Sequence, residues 1–280
     1  MTRCRTRKKM AQRLAKASLL VALFLPYQSE AASSDWLASP GGAIRLVASQ
    51  PRPDGSIPAV LEIKLEPGWK TYWRDPGASG IPPQITLDPE GGVALEAIRF
   101  PAPKTFGEGP GRYVGYDSSV AFPLTLKRVS GEKDLTVRAS VFLGVCEDIC
   151  IPVQGTLDLA LKAGVFDNPL DGARIEEAVA ALPKPPSDHF RVTMTDFEED
   201  AGIMHLDLRL PQDAGEPEIF LAGPAGLSFG APVVGDLSGA ERRVDIPVKF
   251  SGKDRKMGGK AIAITVRAGD LSMETTLAFD

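Results

Sequence analysis

The chain has 280 residues, 43% hydrophobic and 24% charged, which is long enough for one large domain or two of roughly 100 to 150 residues. Its 28 glycines and 24 prolines exceed average usage but stay below low-complexity composition, so disorder is excluded and many short strands between turns are expected. Seven of the 32 basic residues but only one of the 36 acids, Glu30, fall in residues 1–31. The net charge of −4 therefore becomes −10 beyond Ala31, which leaves no electrostatic footprint for nucleic acid or an anionic membrane surface.

Residues 1–31 open with Arg3, Arg5, Arg7, Lys8, Lys9, Arg13 and Lys16, followed by the uncharged run from Ala17 to Leu25. The run is far shorter than the roughly 20 residues of a membrane span, and Ser29-Glu30-Ala31 supplies small residues where a signal peptidase reads. This layout predicts a secretory signal peptide over 1–31, cleaved near Ala31, and an exported protein with no stable membrane anchor after cleavage. The rival reading, an uncleaved anchor, needs a longer apolar stretch. The segment has no Arg-Arg pair for the twin-arginine route and no cysteine after the apolar run to accept lipid. Cys4 leaves with the signal, so three cysteines become one pair, Cys146 and Cys150, in an oxidising compartment.

From Ala43 to Lys162 the pattern is strand-like. Leu61, Ile63 and Leu65 alternate with Glu62, Lys64 and Glu66, and Val120, Phe122, Leu124 and Leu126 alternate with Ala121, Pro123, Thr125 and Lys127. Further strands are expected at 44–49, 84–87, 93–100, 135–143 and 151–161, the spacing of an immunoglobulin-like antiparallel β-sandwich over 32–165. Residues 166–188 read as a linker with one short helix, in which Asp171 is the expected cap and Ile175, Val179 and Leu182 share a face. Pro183, Pro185 and Pro186 stop it. Alternation resumes at 204–210, 244–250, 262–266 and 273–279, which predicts a second, smaller β-sandwich over 189–280. The expected fold class is all-β.

The cysteines carry a parity signal. The apolar positions Leu135 to Val145 and Ile151 to Leu161 are odd, whereas both cysteines are even. A hairpin turning at Glu147-Asp148-Ile149 would oppose Cys146 to Cys150, with partner numbers summing to 296 and both sulfurs on the face away from the core. Opposed residues lie close enough for a disulfide. A bridge around three residues constrains the unfolded chain little and makes a poor staple. Thiol–disulfide exchange needs a second cysteine near enough to resolve a mixed disulfide, which this pair supplies. Glu147 and Asp148 should raise the thiol pKa values, as suits a carrier better than a strong oxidant. Spacing alone leaves both readings open, an exchangeable pair and an inert hairpin bridge. It also leaves the attacking cysteine undecided, with Pro152 as a weak reason to favour Cys146.

Taken in order, Gly68-Trp69-Lys70-Thr71-Tyr72-Trp73-Arg74-Asp75-Pro76-Gly77, Phe100-Pro101-Ala102-Pro103-Lys104, Gly115-Tyr116 before Val120-Ala121-Phe122-Pro123, and Cys146 to Pro152 resemble one family. It is the N-terminal periplasmic domain of the thiol:disulfide interchange protein DsbD and the related copper-tolerance protein ScsB, matched over roughly residues 40 to 162. The resemblance implies an immunoglobulin-like module without a cofactor, in which Cys146 and Cys150 carry electrons from a membrane donor to periplasmic disulfide proteins. It further implies a cap loop with an aromatic shield. The glycine-rich stretch from Phe106 to Tyr116 is the candidate, with Phe106 at its start and Tyr113 or Tyr116 as the shield. Two departures matter. Only three residues separate the cysteines, fewer than in the best-known members, and no apolar stretch of membrane length follows residue 31. The expected partners are thus a separate membrane electron donor and thioredoxin-like periplasmic proteins.

Other constellations are weaker. His189 and His205 read as solvated surface residues, and no nearby third or fourth ligand joins the cysteines in a metal site, although two thiolates could hold Cu(I) transiently. Gly107, Gly109 and Gly111 lack the Lys-Ser/Thr and helix of a phosphate loop. Trp69, Tyr72 and Trp73 fit strand packing better than a carbohydrate or peptide groove, and no hydrolase nucleophile motif is present. The leading function is periplasmic thiol–disulfide exchange through Cys146 and Cys150. The alternatives are a binding or scaffold module with a structural disulfide, and a copper-tolerance accessory.

Overall fold

Alternating side chains can bury one face only by pairing strands into sheets, and the arrangement of those sheets decides which residues reach the cysteines. A computed structural model describes residues 32–78, 80–212, 214–238, 241–252 and 256–279; the expected signal peptide over 1–31 lies outside the described residues. The first part of the chain forms β1 (Leu37–Ser39), β2 (Gly42–Ala48), β3 (Ser56–Leu65), β4 (Lys70–Tyr72), β5 (Gln84–Leu87), β6 (Val93–Ile98), β7 (Lys104–Phe106), β8 (Tyr113–Tyr116), β9 (Val120–Arg128), β10 (Leu135–Cys146) and β11 (Cys150–Leu161). One sheet has the order β1-β2-β3-β9-β6. The other runs β11-β10-β4-β8-β7, with β5 also pairing with β10. All pairings are antiparallel, giving the immunoglobulin-like β-sandwich, with Leu46, Leu61, Phe122 and Leu126 of one sheet facing Val137, Leu143 and Leu161 of the other in the core.

Helix α1 (Pro169–Ala180) follows. Asn168, not the expected Asp171, is its cap: the Asn168 side chain accepts a hydrogen bond from the Leu170 N–H at 3.0 Å, and Pro169 fills the first helical position. Asp171 instead sits in the first turn, buried and ion-paired with Arg174. Ile175 and Ala178 pack against Val47 and Val60 on the outer face of β2 and β3, whereas Val179, expected on the buried face, is exposed. This helix explains why β2 and β3 carry apolar residues on both faces.

The rest of the chain forms β12 (Arg191–Glu198), β13 (Ile203–Arg209), β14 (Glu218–Ala222), β15 (Leu227–Phe229), β16 (Val233–Ser238), β17 (Glu241–Phe250), β18 (Ala261–Ala268) and β19 (Leu271–Ala278). A sheet ordered β12-β13-β17-β15, with β16 also on β17, faces the three-stranded sheet β14-β18-β19 across a core of Met204, Leu206, Val244, Ile246, Ile262 and Ile264. The three-stranded sheet is covered on its other face too. Ile219 and Leu221 of β14 enter this second core, while Phe220 between them enters the core of the first sandwich. Among the described residues no helix is long and apolar enough to cross a membrane.

Candidate functional site

Strand register builds the site. β10 and β11 pair from Leu135↔Leu161 to Cys146↔Cys150, the register expected for a hairpin turning at Glu147-Asp148-Ile149, and the two cysteines close a disulfide with Cα atoms 4.1 Å apart. Beyond Cys146 the turn residues Glu147 and Asp148 are exposed, and Ile149, just before Cys150, is 76% exposed. The two sulfur-bearing residues are not equivalent. Cys150 is exposed, but Cys146 is only 5% exposed. Both lie on the outer face of the sheet, as expected from parity, yet on that face Cys146 is covered.

The cover comes from β4. Its register opposes Thr71 to Val145 and Lys70 to Cys146, so Tyr72 falls beside Gly144 on the outer face, diagonal to Cys146. The Tyr72 hydroxyl lies 2.9 Å from Sγ of Cys146 and 2.9 Å from Sγ of Cys150. Disulfide sulfurs have no hydrogen, so the phenol is the donor. Burial pushes the Tyr72 phenol above its ordinary range, so it keeps its proton at neutral pH. Gly144 makes the approach possible: a Cβ there would stand 2.8 Å from Cε2 of Tyr72 and 2.9 Å from Cβ of Ile81. Thr71 turns the other way and donates from Oγ1 to the Gly144 carbonyl at 2.9 Å, which ties β4 to β10 at this point. Lys70 shares the outer face with the sulfurs, and its ammonium lies over the Phe106 ring, 6.0 Å from the centroid.

A second aromatic layer lies over the first. The expected cap is a short hairpin, β7 and β8, rather than an open loop. Tyr113 meets Tyr72 edge-on with ring centroids 5.4 Å apart, and Phe106 stacks on Tyr113 at 5.3 Å. Burial raises the Tyr113 phenol as well, with Tyr72 and Asp117 adding to the effect. Phe106 and Tyr113 thus lie in the cap, Tyr113 one ring beyond Tyr72 and Phe106 on the ring of Tyr113. Tyr116 does not. Strand alternation turns it inward, where it packs on Phe122 and donates its hydroxyl to the Pro101 carbonyl at 2.8 Å. The site's principal aromatic is Tyr72, one of the three aromatics expected to serve strand packing. The available signal was its parity with Lys70 on the strand before Trp73, together with an outward glycine, Gly144, two residues before Cys146.

Trp69, Tyr72 and Trp73 do not line one groove: Trp69 lies against Gly41, Trp73 is buried in the core and Tyr72 is on the disulfide. His205 is held by Asp245, 2.7 Å from Nδ1, and by Glu198, 3.5 Å from Nε2, far along the chain from the cysteines.

The family described as the N-terminal domain of the thiol:disulfide interchange protein DsbD matches residues 40–162. No curated protein matches the chain. Among solved structures, the crystal structure of the N-terminal periplasmic domain of ScsB from Proteus mirabilis aligns with 89% of this chain and 100% of its own, at 26% identity and a TM-score of 0.70.

Proposed function

Residues 40–162 are a DsbD N-terminal domain, and from that premise we propose that this protein is a periplasmic thiol–disulfide exchange protein that works through Cys146 and Cys150. A separate membrane protein is its electron donor and thioredoxin-like proteins are its acceptors. The observation that carries this reading is the asymmetry of the bridge, in which Cys150 is exposed and Cys146 buried while a protonated phenol donates to both sulfurs.

Exchange requires an in-line attack on one sulfur and departure of the other as thiolate. Cys150 is the sulfur that an incoming thiolate can reach, which reverses the weak preference for Cys146 drawn from Pro152. A donor thiolate attacks Cys150 Sγ, the new intermolecular S–S bond forms, and the Cys146–Cys150 bond breaks with its electron pair on Cys146. The Tyr72 hydroxyl is already 2.9 Å away and stabilises that thiolate by a charge-assisted hydrogen bond. The donor's second thiol then attacks the donor sulfur of the mixed disulfide and leaves Cys146 and Cys150 as dithiol. In the second half-reaction the Cys150 thiolate attacks an acceptor disulfide, and Cys146 resolves the mixed species. Two electrons and two protons pass in each half.

Single-cysteine variants test this. Cys146→Ser should accumulate a mixed disulfide through Cys150 when mixed with an oxidised thioredoxin-like protein, visible on a non-reducing gel, and Cys150→Ser should accumulate far less. If neither variant traps a partner and the wild-type bridge resists reduced thioredoxin, the exchange reading is wrong.

A further inference from the structure

The strand that presents Tyr72 to the sulfurs does not end freely. Trp73 follows it into the first core, and its ring meets Phe220 of β14 edge-on, centroids 6.1 Å apart. Arg74 comes next. Its guanidinium pairs with Glu274 Oε2, donates to Thr265 Oγ1 at 3.3 Å, and stacks over Trp73 at 4.7 Å and Phe100 at 5.6 Å. These partners are not scattered. Phe220 opposes Thr265 in the β14–β18 register, and Thr265 opposes Glu274 in the β18–β19 register. The three therefore form one row across the sheet, on the face turned toward the first sandwich.

Ordinary alternation does not call for this row. Ile262, Ile264 and Val266 take the core face of β18, so Thr265 belongs on the solvent side, yet it is 0% exposed and donates to Glu274 at 2.7 Å. Arg74 and Glu274 are both mostly withdrawn from water, where breaking one partner leaves an uncompensated charge and is costly. The second sandwich thus grips the two residues that follow Tyr72, on the inner side of a strand only three residues long. The middle of that strand is pinned at Thr71 to the Gly144 carbonyl.

We propose that Arg74 is a positioning residue for the redox pair: the second sandwich, acting through Glu274 and Thr265, fixes β4 so that the Tyr72 hydroxyl stays on the cysteine sulfurs. This rests on the exchange function proposed above and assigns the second sandwich a part in it. Arg74 touches neither sulfur, so its effect must pass through Tyr72.

The test is a double-mutant cycle on the full chain, reading the thiol pKa of Cys146 in the reduced protein by thiolate absorbance and the rate of disulfide reduction by dithiothreitol. Arg74→Gln and Glu274→Gln should each raise the Cys146 pKa and slow reduction about three- to tenfold, as should Tyr72→Phe, which keeps the ring and removes the donor. In the Tyr72→Phe background, Arg74→Gln should add nothing further. Glu274→Gln keeps the shape of the contact and serves should Arg74→Gln fold poorly. The proposal is overturned if both variants lower only the melting temperature and leave pKa and rate at wild-type values, or if the Arg74 effect persists undiminished without the Tyr72 hydroxyl. A wild-type bridge that dithiothreitol reduces but thioredoxin-like proteins do not would count against the exchange function, while the cycle would still decide the positioning role.

Discussion

The outward faces of the two sandwiches solve the same problem with different chemistry. On β13 and β17 of the second sandwich, the side chains pointing away from the core are charged and paired across strands: Arg243 with Asp207, Arg209 with Glu241, and His205 with Asp245. That is the usual treatment of a half-solvated sheet, and each pair contributes little. On β10, β4 and β8 of the first sandwich, the corresponding outward face carries Cys146, Gly144, Tyr72 and Tyr113. Aromatic rings over glycine on a face that folding does not need to bury are a local departure from patterning, and such departures mark function. The core of the first sandwich would be complete without them.

Three substitutions, taken in decreasing order of effect, separate the two kinds of face from the cores beneath. Phe122→Ala removes a fully buried ring that packs on Phe100 and Tyr116, and should cost about 3–5 kcal/mol in denaturant unfolding. It should leave the exchange rate per folded molecule unchanged, because Phe122 lies on the inner side of the sandwich. A parallel loss of exchange would show that the outward face depends on core packing after all. Gly144→Val comes next. Its side chain cannot coexist with the Tyr72 ring in place, so it should cost about 1–3 kcal/mol. It should also expose Cys146, which would then react faster with iodoacetamide in the reduced protein. The counterpart in the second sandwich, Arg243→Val, should stay within about 0.5 kcal/mol. If the two outward substitutions cost the same, the contrast between the faces is only apparent.

The contrast also explains what the sequence could and could not disclose. Period-2 alternation predicted the long strands apart from β12, and parity together with a turn at Glu147-Asp148-Ile149 pointed to the Cys146↔Cys150 register, because a one-residue slip would turn every apolar side chain outward. The short strands β1, β4, β7 and β8 have three or four residues each, too few for a period to show. The cap and its phenol sit on three of them, so the site's sulfurs were legible and their cover was not. Tyr113 and Tyr116 looked interchangeable as shields within one glycine-rich stretch. Only once that stretch pairs as a hairpin does alternation send Tyr113 out and Tyr116 in. The helix cap is ambiguous in sequence for a similar reason: Asn168 and Asp171 are both good capping residues, and Pro169 at the first helical position decides between them. The burial of Thr265 lay beyond any local pattern, since it depends on a second sandwich docking against Trp73 and Arg74 some 190 residues away in the chain.

The smallest expected effect tests the charged face of the second sandwich. The hydrogen bond that His205 donates to the Asp245 carboxylate, reinforced by Glu198, raises the pKa of His205 above its ordinary value of 6.5. A raised folded-state pKa means that the folded protein binds the proton more tightly than the unfolded chain does. The resulting stability is fully present below about pH 6.5 and is lost as pH rises through the folded value. Because the imidazole is partly exposed, the gain should stay under about 1 kcal/mol. His205→Asn should therefore unfold more easily than wild type at pH 5.5 and nearly alike at pH 8.5, with exchange through Cys150 the same in both proteins. A variant whose deficit does not shrink as the pH rises would mean that His205 stabilises this face by packing rather than by charge. The ionic description of the second sandwich's outer surface would then fail at its best-connected residue.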